Sequence, residues 1–416
     1  METPNINGRL RVYVLTPSFP PTDGGQEKHL LELCESLMAA GAAVQVFTRR
    51  VTHDFLPHER FGAVAVSRYT PFGEIRGVGW RAAPRLGTLL LKMTWRLILD
   101  ARQYDVVLVS GFNFMPMSAV IAGMITGKPC VVRPESPLEV AEPMGAASRG
   151  KMGLSERSLA LRMIAALRRL MARRVDRYIA ISSEIGANLI KAGIDASHIV
   201  AIPNGIAVER FAPADASGKL TLRAALGLPR EALLMIYTGR LAQSKGIMML
   251  IEAWRDLAAQ FPQAHLVIVG TGHGSYDDCE PALRQFIAEH TLGDRVTLTG
   301  SVKNVHDYLK AGDVFVFPSD YEGFSLSLAE AMTAGLPLVS TRVGIAAELG
   351  DQPRFGLLVP PKDPPAFRDA LQTLLANPDL QSEMGANARA TVAQRYSLAA
   401  EAARYLALFR ELAPQP

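Results

Sequence analysis

The sequence has few of the features that mark secreted, metal-binding or hydrolytic proteins. Its 416 residues include only 3 cysteines, which stand far apart and in no CxxC spacing. This scarcity excludes a disulfide scaffold and a thiolate zinc site, and it is typical of a protein in a reducing cytosol. The sequence also lacks an Asp-x-Asp motif, a GxxxxGK[ST] phosphate loop and the Gly-x-Ser-x-Gly elbow of serine hydrolases. Asp277 and Asp278 are adjacent, but His273 alone does not complete a site around them, so no metal is predicted.

Long hydrophobic runs are missing as well. The most apolar stretch, residues 86–99, is interrupted by Lys92 and Arg96. It falls short of the ~20 apolar residues that a membrane span needs. Residues 1–10 are polar and lack the apolar core of a signal peptide. We therefore expect a cytoplasmic protein.

Charge is distributed unevenly between the two halves of the chain. The formal net charge is +4, but residues 1–210 hold 26 lysines and arginines against 18 aspartates and glutamates, a net charge of +8. The remaining residues hold 18 against 22, a net charge of −4. A basic half is typical of a surface that meets an anionic ligand or a membrane.

Short apolar segments alternate with helical segments along the chain. They are apolar throughout, which is typical of parallel strands covered on both faces. The first series comprises residues 10–15, 43–48, 105–109, 130–133, 178–181 and 199–202. The second comprises residues 233–238, 265–270, 295–299, 314–317, 336–340 and 357–359. Asn204-Gly205 and residues 213–218 are rich in turn and linker residues, and they separate the two series. We therefore predict an α/β protein with two doubly wound parallel-sheet domains, residues 1–212 and 213–396.

Two segments, residues 81–102 and 156–177, are predicted to form amphipathic helices with dense positive charge. The second holds seven arginines against Glu156 and Asp176, and its apolar residues recur at helical spacing. Such a helix is either a solvated surface element or a docking site for anionic lipid headgroups. The second interpretation predicts salt-sensitive binding of residues 156–177 to anionic membranes.

The most informative loop runs from Thr238 to Gly246, between a predicted strand and a predicted helix. Ser244 is the predicted cap of that helix, whose first N–H groups then point into the loop. Arg240 and Lys245 add two positive charges at the same place. The arrangement favours a diphosphate ligand over the alternative of two solvated basic residues.

A second group of candidate functional residues follows the predicted strand at residues 314–317. Glu322 lies in a loop, and Glu330 falls inside a helix that we expect to begin near Ser325. The two carboxylates can accept hydrogen bonds from different parts of one ligand, while the start of the helix faces an anion. The alternatives are a glycosidase pair of acid and nucleophile, or a Glu330 that pairs within the core.

Together these motifs resemble the retaining glycosyltransferases of the GT-B fold, the family called glycosyl transferases group 1 or family four. The resemblance covers nearly the whole chain. It rests on Gly24-Gly25, Pro203-Asn204-Gly205-Ile206, Gly239-Arg240-Leu241 with Lys245-Gly246, and the block from Phe317-Pro318-Ser319 through Glu330 to Pro337. The resemblance implies two Rossmann-like domains that face a central cleft, with a last helix, in residues 397–416, that crosses back to the N-terminal domain.

The resemblance also implies roles for individual residues. Arg240 and Lys245 match positions that hold the donor diphosphate and stabilise the leaving group. Glu322 matches a position that holds hydroxyls of the donor sugar. With Arg240 and Lys245, it forms the implied set of catalytic residues. Glu330 matches the position that takes the ribose hydroxyls of the nucleotide.

Backbone positions complete the implied donor site. Amides around Phe324, Ser325 and Leu326 approach sugar and phosphate in this family, and the glycines Gly239 and Gly323 stand beside the charged residues. Gly24 and Gly25 match the loop of the N-terminal domain that closes over donor and acceptor.

The implied activity is transfer of a sugar from a nucleoside-diphosphate sugar, UDP- or GDP-linked, to an acceptor hydroxyl. It needs no cofactor or metal, because Arg240 and Lys245 supply the cations. The resemblance implies a lipid-linked or saccharide acceptor in glycolipid, lipopolysaccharide or exopolysaccharide assembly, and no nucleic acid. The resemblance makes the N-terminal half, with its net charge of +8, the side that binds the acceptor. This fits a cytoplasmic protein placed peripherally on the inner face of the plasma membrane.

The sequence departs from the family in one region. Many relatives carry a histidine after the strand that matches residues 130–133, and this chain has none there. Arg133, Glu135, Ser136 and Glu139 are the candidates for that space. The departure leaves two alternatives open, a non-catalytic nucleotide-sugar-binding subunit and a sugar-nucleotide epimerase of the same fold.

Overall fold

The structure is a computed structural model. It describes residues 9–22, 24–50, 54–71, 83–112, 114–141, 166–167, 169–273, 277–350 and 354–413. Half of the predicted helix at residues 156–177, namely residues 156–165 and 168, lies outside the described residues.

The chain forms two compact units and passes between them twice. One unit comprises residues 1–205 together with 398–416, and the other comprises residues 206–397. The boundaries predicted from the sequence, after residues 212 and 396, stand close to these junctions. Within the second unit, the two connecting segments pair, because the Ile206 N–H donates to the Tyr396 carbonyl at 2.7 Å.

The first unit is built on an eight-stranded sheet in the order β3-β4-β2-β1-β5-β6-β7-β8. All neighbours are parallel except β3 and β4, which form an antiparallel hairpin at one edge. The strands are β1 (Arg11–Thr16), β2 (Ala43–Arg50), β3 (His58–Phe61), β4 (Val64–Pro71), β5 (Val106–Ser110), β6 (Cys130–Arg133), β7 (Arg177–Ala180) and β8 (Ile199–Ala201). The hairpin was not predicted, because its edge strand His-Glu-Arg-Phe is mostly polar and carries no apolar run.

Six described α-helices belong to the first unit. Five precede the second unit in sequence, and the sixth, called the returning helix, follows it. They are α1 (Gly25–Ala39), α2 (Ala83–Leu99), α3 (Met115–Thr126), α4 (Pro137–Ala141), α5 (Ser183–Lys191) and the returning helix (Leu398–Leu412). The returning helix packs against α1. Among the described residues, none of the helices combines the length and the apolarity that crossing a bilayer requires.

The second unit is built on a six-stranded, fully parallel sheet in the order β11-β10-β9-β12-β13-β14. The strands are β9 (Leu233–Thr238), β10 (Ala264–Val269), β11 (Val296–Leu298), β12 (Val314–Phe317), β13 (Leu338–Thr341) and β14 (Gly356–Val359). Numbered within the unit, this order is 3-2-1-4-5-6, that of a Rossmann fold. The central strands β10, β12 and β13 are buried along their full length, as apolar parallel strands require.

The helices of the second unit cover both faces of its sheet. They are α6 (Ala216–Ala225), α7 (Ile247–Leu257), α8 (Glu280–Glu289), α9 (Val305–Ala311), α10 (Leu326–Thr333), α11 (Ile345–Leu349), α12 (Pro364–Leu375) and α13 (Pro378–Arg395). The returning helix of the first unit is numbered α14 (Leu398–Leu412). The core between sheet and helices is apolar and centres on Trp254, Met235 and Phe367, none of which has exposed surface.

Candidate active site

The two loops singled out in the sequence lie next to each other in the second unit. Strands β9 and β12 are hydrogen-bonded neighbours, with Met235 opposite Val314 and Ile236 opposite Phe315. The chain leaves β9 toward one edge of the sheet and leaves β12 toward the other, so the crevice beyond their carboxyl ends is the topological switch point. Ligands of open α/β sheets bind at this point.

A side chain of the preceding strand β9 holds the first loop in a fixed shape. Tyr237 is fully buried, and its hydroxyl donates to the Arg240 carbonyl at 2.9 Å. Burial, with the nearby Glu322 charge, raises the pKa of Tyr237, so the hydroxyl stays protonated as a donor. The Arg240 side chain itself is exposed at the mouth of the crevice, next to the exposed Gly239.

Gly246 ends this loop in a conformation and at a spacing that only glycine fits. Its φ is +65°, in the left-handed region, and it begins helix α7. A Cβ atom there would lie 2.0 Å from the carbonyl oxygen of Pro318, in the second loop. Because that oxygen belongs to the backbone, it cannot move aside as a side chain would.

We expect Gly246→Ala to destabilise the protein and to weaken any ligand of the crevice. The left-handed backbone alone costs an alanine about 1 kcal/mol, and the collision with Pro318 adds to it. The matched control is Gly227→Ala, because Gly227 has a φ of +67° but open space where a Cβ would stand. Chemical denaturation should show a loss at least twofold larger for Gly246→Ala, and equal losses would contradict this account of the loop.

The structure brings Lys245 and Glu322 together although they are 77 residues apart in sequence. The Lys245 Nζ atom lies 2.6 Å from Glu322 Oε1, and the Ser319 hydroxyl donates to the same oxygen at 2.9 Å. The side chains of Lys245 and Glu322 are 19% and 14% exposed, so each keeps a limited opening to solvent. A ligand in the crevice therefore meets a compact cation and a carboxylate held at one point.

The second loop leads into α10 through a strained residue. Ser325 precedes the helix with a φ of +76°, which is rare outside glycine. Its hydroxyl and that of Thr238, at the end of β9, are buried and have no hydrogen-bond partner among the described residues. Unpaired buried hydroxyls and a helix N-terminus at the same edge are features of a site that binds an anion.

The neighbouring backbone fixes this strained turn. The Phe324 carbonyl accepts from the Ile345 N–H at 2.8 Å, and the Phe324 ring packs 5.6 Å from the Tyr396 ring. Gly344 has a φ of +51°, and a Cβ there would collide with Phe324 and Ser325. Since the Phe324 side chain is buried, only its backbone is placed to meet a ligand.

The remaining predicted positions lie around the same turn. Gly323 is half-buried in the loop, Leu326 is the first residue of α10, and Glu330 is half-buried inside the helix. Glu322 therefore lies in the loop and Glu330 in the helix that follows it, as the sequence spacing predicted.

One contact in the site was not predicted, and it corrects a prediction. The Ser244 hydroxyl donates to Asp277 Oδ2 at 2.8 Å instead of capping α7, whose N-cap is Gly246. Ser244 lies in the short 3-10 turn Gln243–Lys245, two residues before the N-cap position. The pair at Asp277-Asp278, which resembles a metal motif in sequence, instead clamps the loop that carries Lys245, because Ala242 also pairs with Asp278.

In the first unit, Gly24 and Gly25 lie at the beginning of α1, beyond the carboxyl end of β1. Both are exposed, and Gly24 is the N-cap of the helix. The Glu27 carboxylate, in the first turn of the helix, accepts from the Ser18 hydroxyl at 2.5 Å and so ties the loop to the helix.

Arg133, one candidate for the place of the missing histidine, is fully buried at the end of β6. Its guanidinium donates to Asn204 Oδ1 at 2.9 Å and to His29 Nδ1 at 3.1 Å, and it lies 3.4 Å from Glu135 Oε2. Burial disfavours the charged form and by itself would lower the pKa of Arg133, but the surrounding acidic groups, Glu135 first and then Tyr405 and Glu401, together raise it. Arg133 is therefore a buried cation that is hydrogen-bonded through Nη2, while its Nε and Nη1 atoms have no hydrogen-bond partner among the described residues.

The other candidates lie near the same edge of the first sheet. Glu135 is buried and accepts from the Ser110 hydroxyl at the end of β5. Glu139 accepts from the backbone N–H groups of Phe112 and Glu135, at 3.0 and 3.1 Å. Ser136, between them, is half-buried. Two carboxylates, Glu135 and Glu139, thus follow β6 in the segment where the family resemblance led us to expect a histidine.

His29 is buried, a position that its place beside the glycine pair did not reveal. Because Arg133 can only donate, His29 Nδ1 accepts from it, and His29 Nε2 donates to Glu401 Oε2 at 3.1 Å. The same Glu401 oxygen accepts from the Gly205 N–H at 2.8 Å. His29 thus links β6, α14 and the junction at Gly205.

Two Rossmann-like units, each built on a largely parallel sheet, define a protein of the GT-B fold. Residues 219–391 match the family model for glycosyl transferases group 1, and residues 23–210 match that for glycosyltransferase family 4. Together the two models span well over half of the chain. The chain belongs to this family of glycosyltransferases, and it is therefore a transferase.

Individual relatives agree with the family. An alpha-D-kanosaminyltransferase from Streptomyces kanamyceticus is 32% identical over 210 residues, which are 50% of this chain and 53% of that protein. A D-inositol 3-phosphate glycosyltransferase from Kineococcus radiotolerans is 28% identical over 409 residues, which are 93% of this chain and 90% of the relative.

Solved structures share the whole architecture. Sucrose-phosphate synthase from Thermosynechococcus elongatus superposes with a TM-score of 0.77 and 25% identity, covering 97% of this chain and 99% of that one. HepE from Anabaena, solved in complex with UDP, superposes with a TM-score of 0.74 and 20% identity over 97% and 100% of the two chains. At that identity, the second likeness concerns the fold alone.

Proposed function

We propose that this protein is a retaining glycosyltransferase that takes its sugar from a nucleoside-diphosphate donor bound in the crevice of residues 206–397. The observation that carries the proposal is the Lys245–Glu322 pair, at 2.6 Å, beside the start of α10. A cation, a carboxylate and the N-terminus of a helix suit a ligand that joins a diphosphate to a polyhydroxylated sugar.

Each part of such a donor has a group to meet it. Arg240 and Lys245 hold the diphosphate, together with the backbone around Gly239 and the amides of Phe324, Ser325 and Leu326. Glu322, with Gly323 beside it, accepts from hydroxyls of the sugar. Glu330 accepts from the ribose hydroxyls. The two unpaired buried hydroxyls, Thr238 Oγ1 and Ser325 Oγ, gain partners when the ligand binds.

The proposed chemical step is a substitution at the anomeric carbon. The bond from that carbon to the diphosphate oxygen breaks, and the acceptor hydroxyl oxygen bonds to the carbon from the same face. The acceptor proton passes to the departing diphosphate. Negative charge grows on the diphosphate as it leaves, and Lys245, Arg240 and the helix N-terminus are already aimed at it.

We propose that the unit with residues 1–205 binds the acceptor, a lipid-linked or saccharide molecule. Its net charge of +8 over residues 1–210 supports an anionic acceptor or membrane surface. The exposed helix start at Gly24 and Gly25 lies at the carboxyl edge of this unit's sheet, where α/β proteins bind ligands. We propose accordingly that the protein works in the cytoplasm, on the inner face of the plasma membrane.

The donor can be identified by thermal shift with the full chain. UDP-, GDP- and ADP-linked sugars are screened, and a ligand at 100 times its Kd should stabilise by about 2.7 kcal/mol. We expect a UDP- or GDP-linked sugar to raise the melting temperature and the corresponding nucleoside to do so far less. If none of these ligands shifts the transition, the proposed donor site is wrong. Binding without turnover on any acceptor would instead identify a non-catalytic subunit.

Stereochemistry and metal dependence form one further prediction. With the donor identified, proton NMR of the first product should show the anomeric configuration of the donor, and excess EDTA should leave the rate unchanged within about twofold. EDTA has no effect in this account because Arg240 and Lys245 supply the positive charge. An inverted product would refute the same-face step, and loss of the rate in EDTA, restored by a divalent cation, would refute metal independence.

A further inference from the structure

Exposed apolar side chains are concentrated in one part of the first unit. Among the described residues of the whole chain, eleven large hydrophobic side chains are exposed. All but Leu56 and Tyr321 lie on segments that link β4 to β8. These nine residues are Leu91, Trp95 and Leu99 on α2, Ile121, Met124 and Ile125 on α3, Leu167 and Leu170 before β7, and Ile190 on α5.

The topology of the sheet places these segments on one face. The connections β4 to β5, β5 to β6, β6 to β7 and β7 to β8 all advance in the same direction across the sheet. Right-handed crossovers between parallel strands therefore put α2, α3, residues 166–174 and α5 on the same side. Helix α1 joins β1 to β2 in the opposite direction and covers the other face with α14. Of the exposed large hydrophobic side chains in the described residues, none is on α1 or α14.

Helix α2 is apolar on both its inner and outer sides. Leu89, Met93 and Leu97 recur four residues apart and are buried against the unit. Leu91, Trp95 and Leu99 also recur four residues apart, but they are 72%, 63% and 63% exposed. An ordinary surface helix has a polar outer side, so this second stripe requires an apolar environment.

Helix α3 extends the same apolar surface. The Ser118 hydroxyl on α3 donates to the Leu90 carbonyl on α2 at 3.1 Å, which fixes the two helices side by side. Met124 and Ile125, at the end of α3, are 60% and 63% exposed. The two outer sides therefore form one surface, which we call the α2–α3 face.

Positive charges outnumber negative ones around the α2–α3 face, where Glu184 on α5 is an exposed carboxylate on the same side of the sheet. Neither α2 nor α3 contains an aspartate or a glutamate. Lys92 is exposed on α2, while Arg102 and Lys128 follow the ends of the two helices. Three more exposed arginines, Arg169, Arg173 and Arg174, lie before β7 on the same side of the sheet.

We propose that the α2–α3 face docks on the surface of an anionic lipid bilayer. Leu91, Trp95, Leu99, Met124 and Ile125 enter the boundary between headgroups and acyl chains, and the lysines and arginines meet the lipid phosphates. Tryptophan suits this boundary because it joins a large apolar ring to one polar N–H. The docking surface thus differs from the helix at residues 156–177 predicted from sequence, whose described part contributes charge at the margin. The inference does not rest on the proposed transfer reaction.

The test is co-sedimentation of the full chain with vesicles, without any donor. We expect binding to phosphatidylcholine vesicles that contain phosphatidylglycerol and much weaker binding to phosphatidylcholine alone. Raising the salt from about 0.1 M to about 1 M shortens the screening length from about 10 Å to about 3 Å and should weaken binding about tenfold. Tryptophan emission should shift to the blue on binding, and Trp95→Phe, a conservative change, should remove that shift.

Variants locate the surface. The combined change Leu91→Ala, Trp95→Ala and Leu99→Ala should lower the vesicle partition coefficient at least about tenfold. Leu56→Ala, at a side chain 59% exposed away from this face, should leave it unchanged. For the charges, Lys92→Gln with Lys128→Gln should weaken binding to anionic vesicles, while Arg410→Gln on α14 should not.

Three outcomes would overturn the proposal. The first is wild-type protein that stays in the supernatant with anionic vesicles. The second is equal partitioning of the wild type and the combined α2 variant. The third is a wild-type dimer in solution that the combined variant abolishes, because the face would then be covered by a second copy of the chain. If the combined variant does not fold, the wild-type sedimentation and the Trp95→Phe emission decide between these outcomes.

Discussion

Replacement of Lys245 by alanine is expected to lower the rate of sugar transfer by about 10²- to 10³-fold and to leave the protein folded. Lys245 is the compact cation at the switch point of the second sheet, 2.6 Å from Glu322. In the proposed reaction, its charge is worth most when the diphosphate departs, because negative charge then grows in a site shielded from water. The effect should therefore appear mainly in kcat.

Stability should change little in this variant. Glu322 keeps its hydrogen bond from Ser319 and a 14% exposed side chain, so it can take up water in place of the lysine. The matched control is Lys310→Ala, because Lys310 lies in the last turn of α9 before β12, at the opposite edge of the sheet. We expect the control to transfer sugar at the wild-type rate. Near-normal turnover by Lys245→Ala would remove Lys245 from the proposed mechanism.

Replacement of Glu401 by alanine should lower the free energy of unfolding by about 3–5 kcal/mol. Glu401 is 2% exposed and accepts from both His29 and the Gly205 N–H. Its removal leaves the fully buried Arg133 with less negative charge nearby and leaves the Gly205 N–H without an acceptor. The control in the same helix is Glu411→Ala. The Glu411 side chain is 62% exposed and its partner Arg177 is partly exposed, so the change should cost no more than about 1 kcal/mol.

The contribution of Glu401 should also depend on pH. Burial alone would raise the pKa of Glu401, but the hydrogen bond from His29, the charge of Arg133 and the Gly205 N–H together lower it. A carboxylate with a depressed pKa stabilises the fold fully above the ordinary glutamate pKa of about 4.3. That stabilisation is lost as the pH falls through the lower, folded-state pKa. The difference in unfolding free energy between wild type and Glu401→Gln should therefore shrink in acid; a difference that is constant or grows there would contradict this account.

Much of the fold follows from the sequence because its strands are short, apolar throughout and separated by helical segments. Such strands need cover on both faces, which leaves parallel sheets between helices as the solution. The hairpin of β3 and β4 was missed for the opposite reason. It lies at the sheet edge, where polar residues are tolerated and the apolar signal disappears.

The sequence singled out residues of the candidate site, but it did not predict which of them contact each other. The residue types and their place after strands identified Lys245 and Glu322, but only the pairing of β9 with β12 brings them within 2.6 Å. Ser244 was wrongly predicted to cap a helix, since its acceptor, Asp277, comes from a distant loop. Likewise, the burial of His29 depends on α14, which joins it from 372 residues away.

The most direct test of the account compares two affinities of the full chain by titration calorimetry. The account predicts that the nucleoside diphosphate of the identified donor binds at least about 100-fold more tightly than the nucleoside alone, because two charge-assisted contacts hold the diphosphate. It also predicts that this difference collapses in the double variant Arg240→Ala, Lys245→Ala. Equal affinities in the wild type, or a difference that survives in the double variant, would contradict a diphosphate site at this crevice.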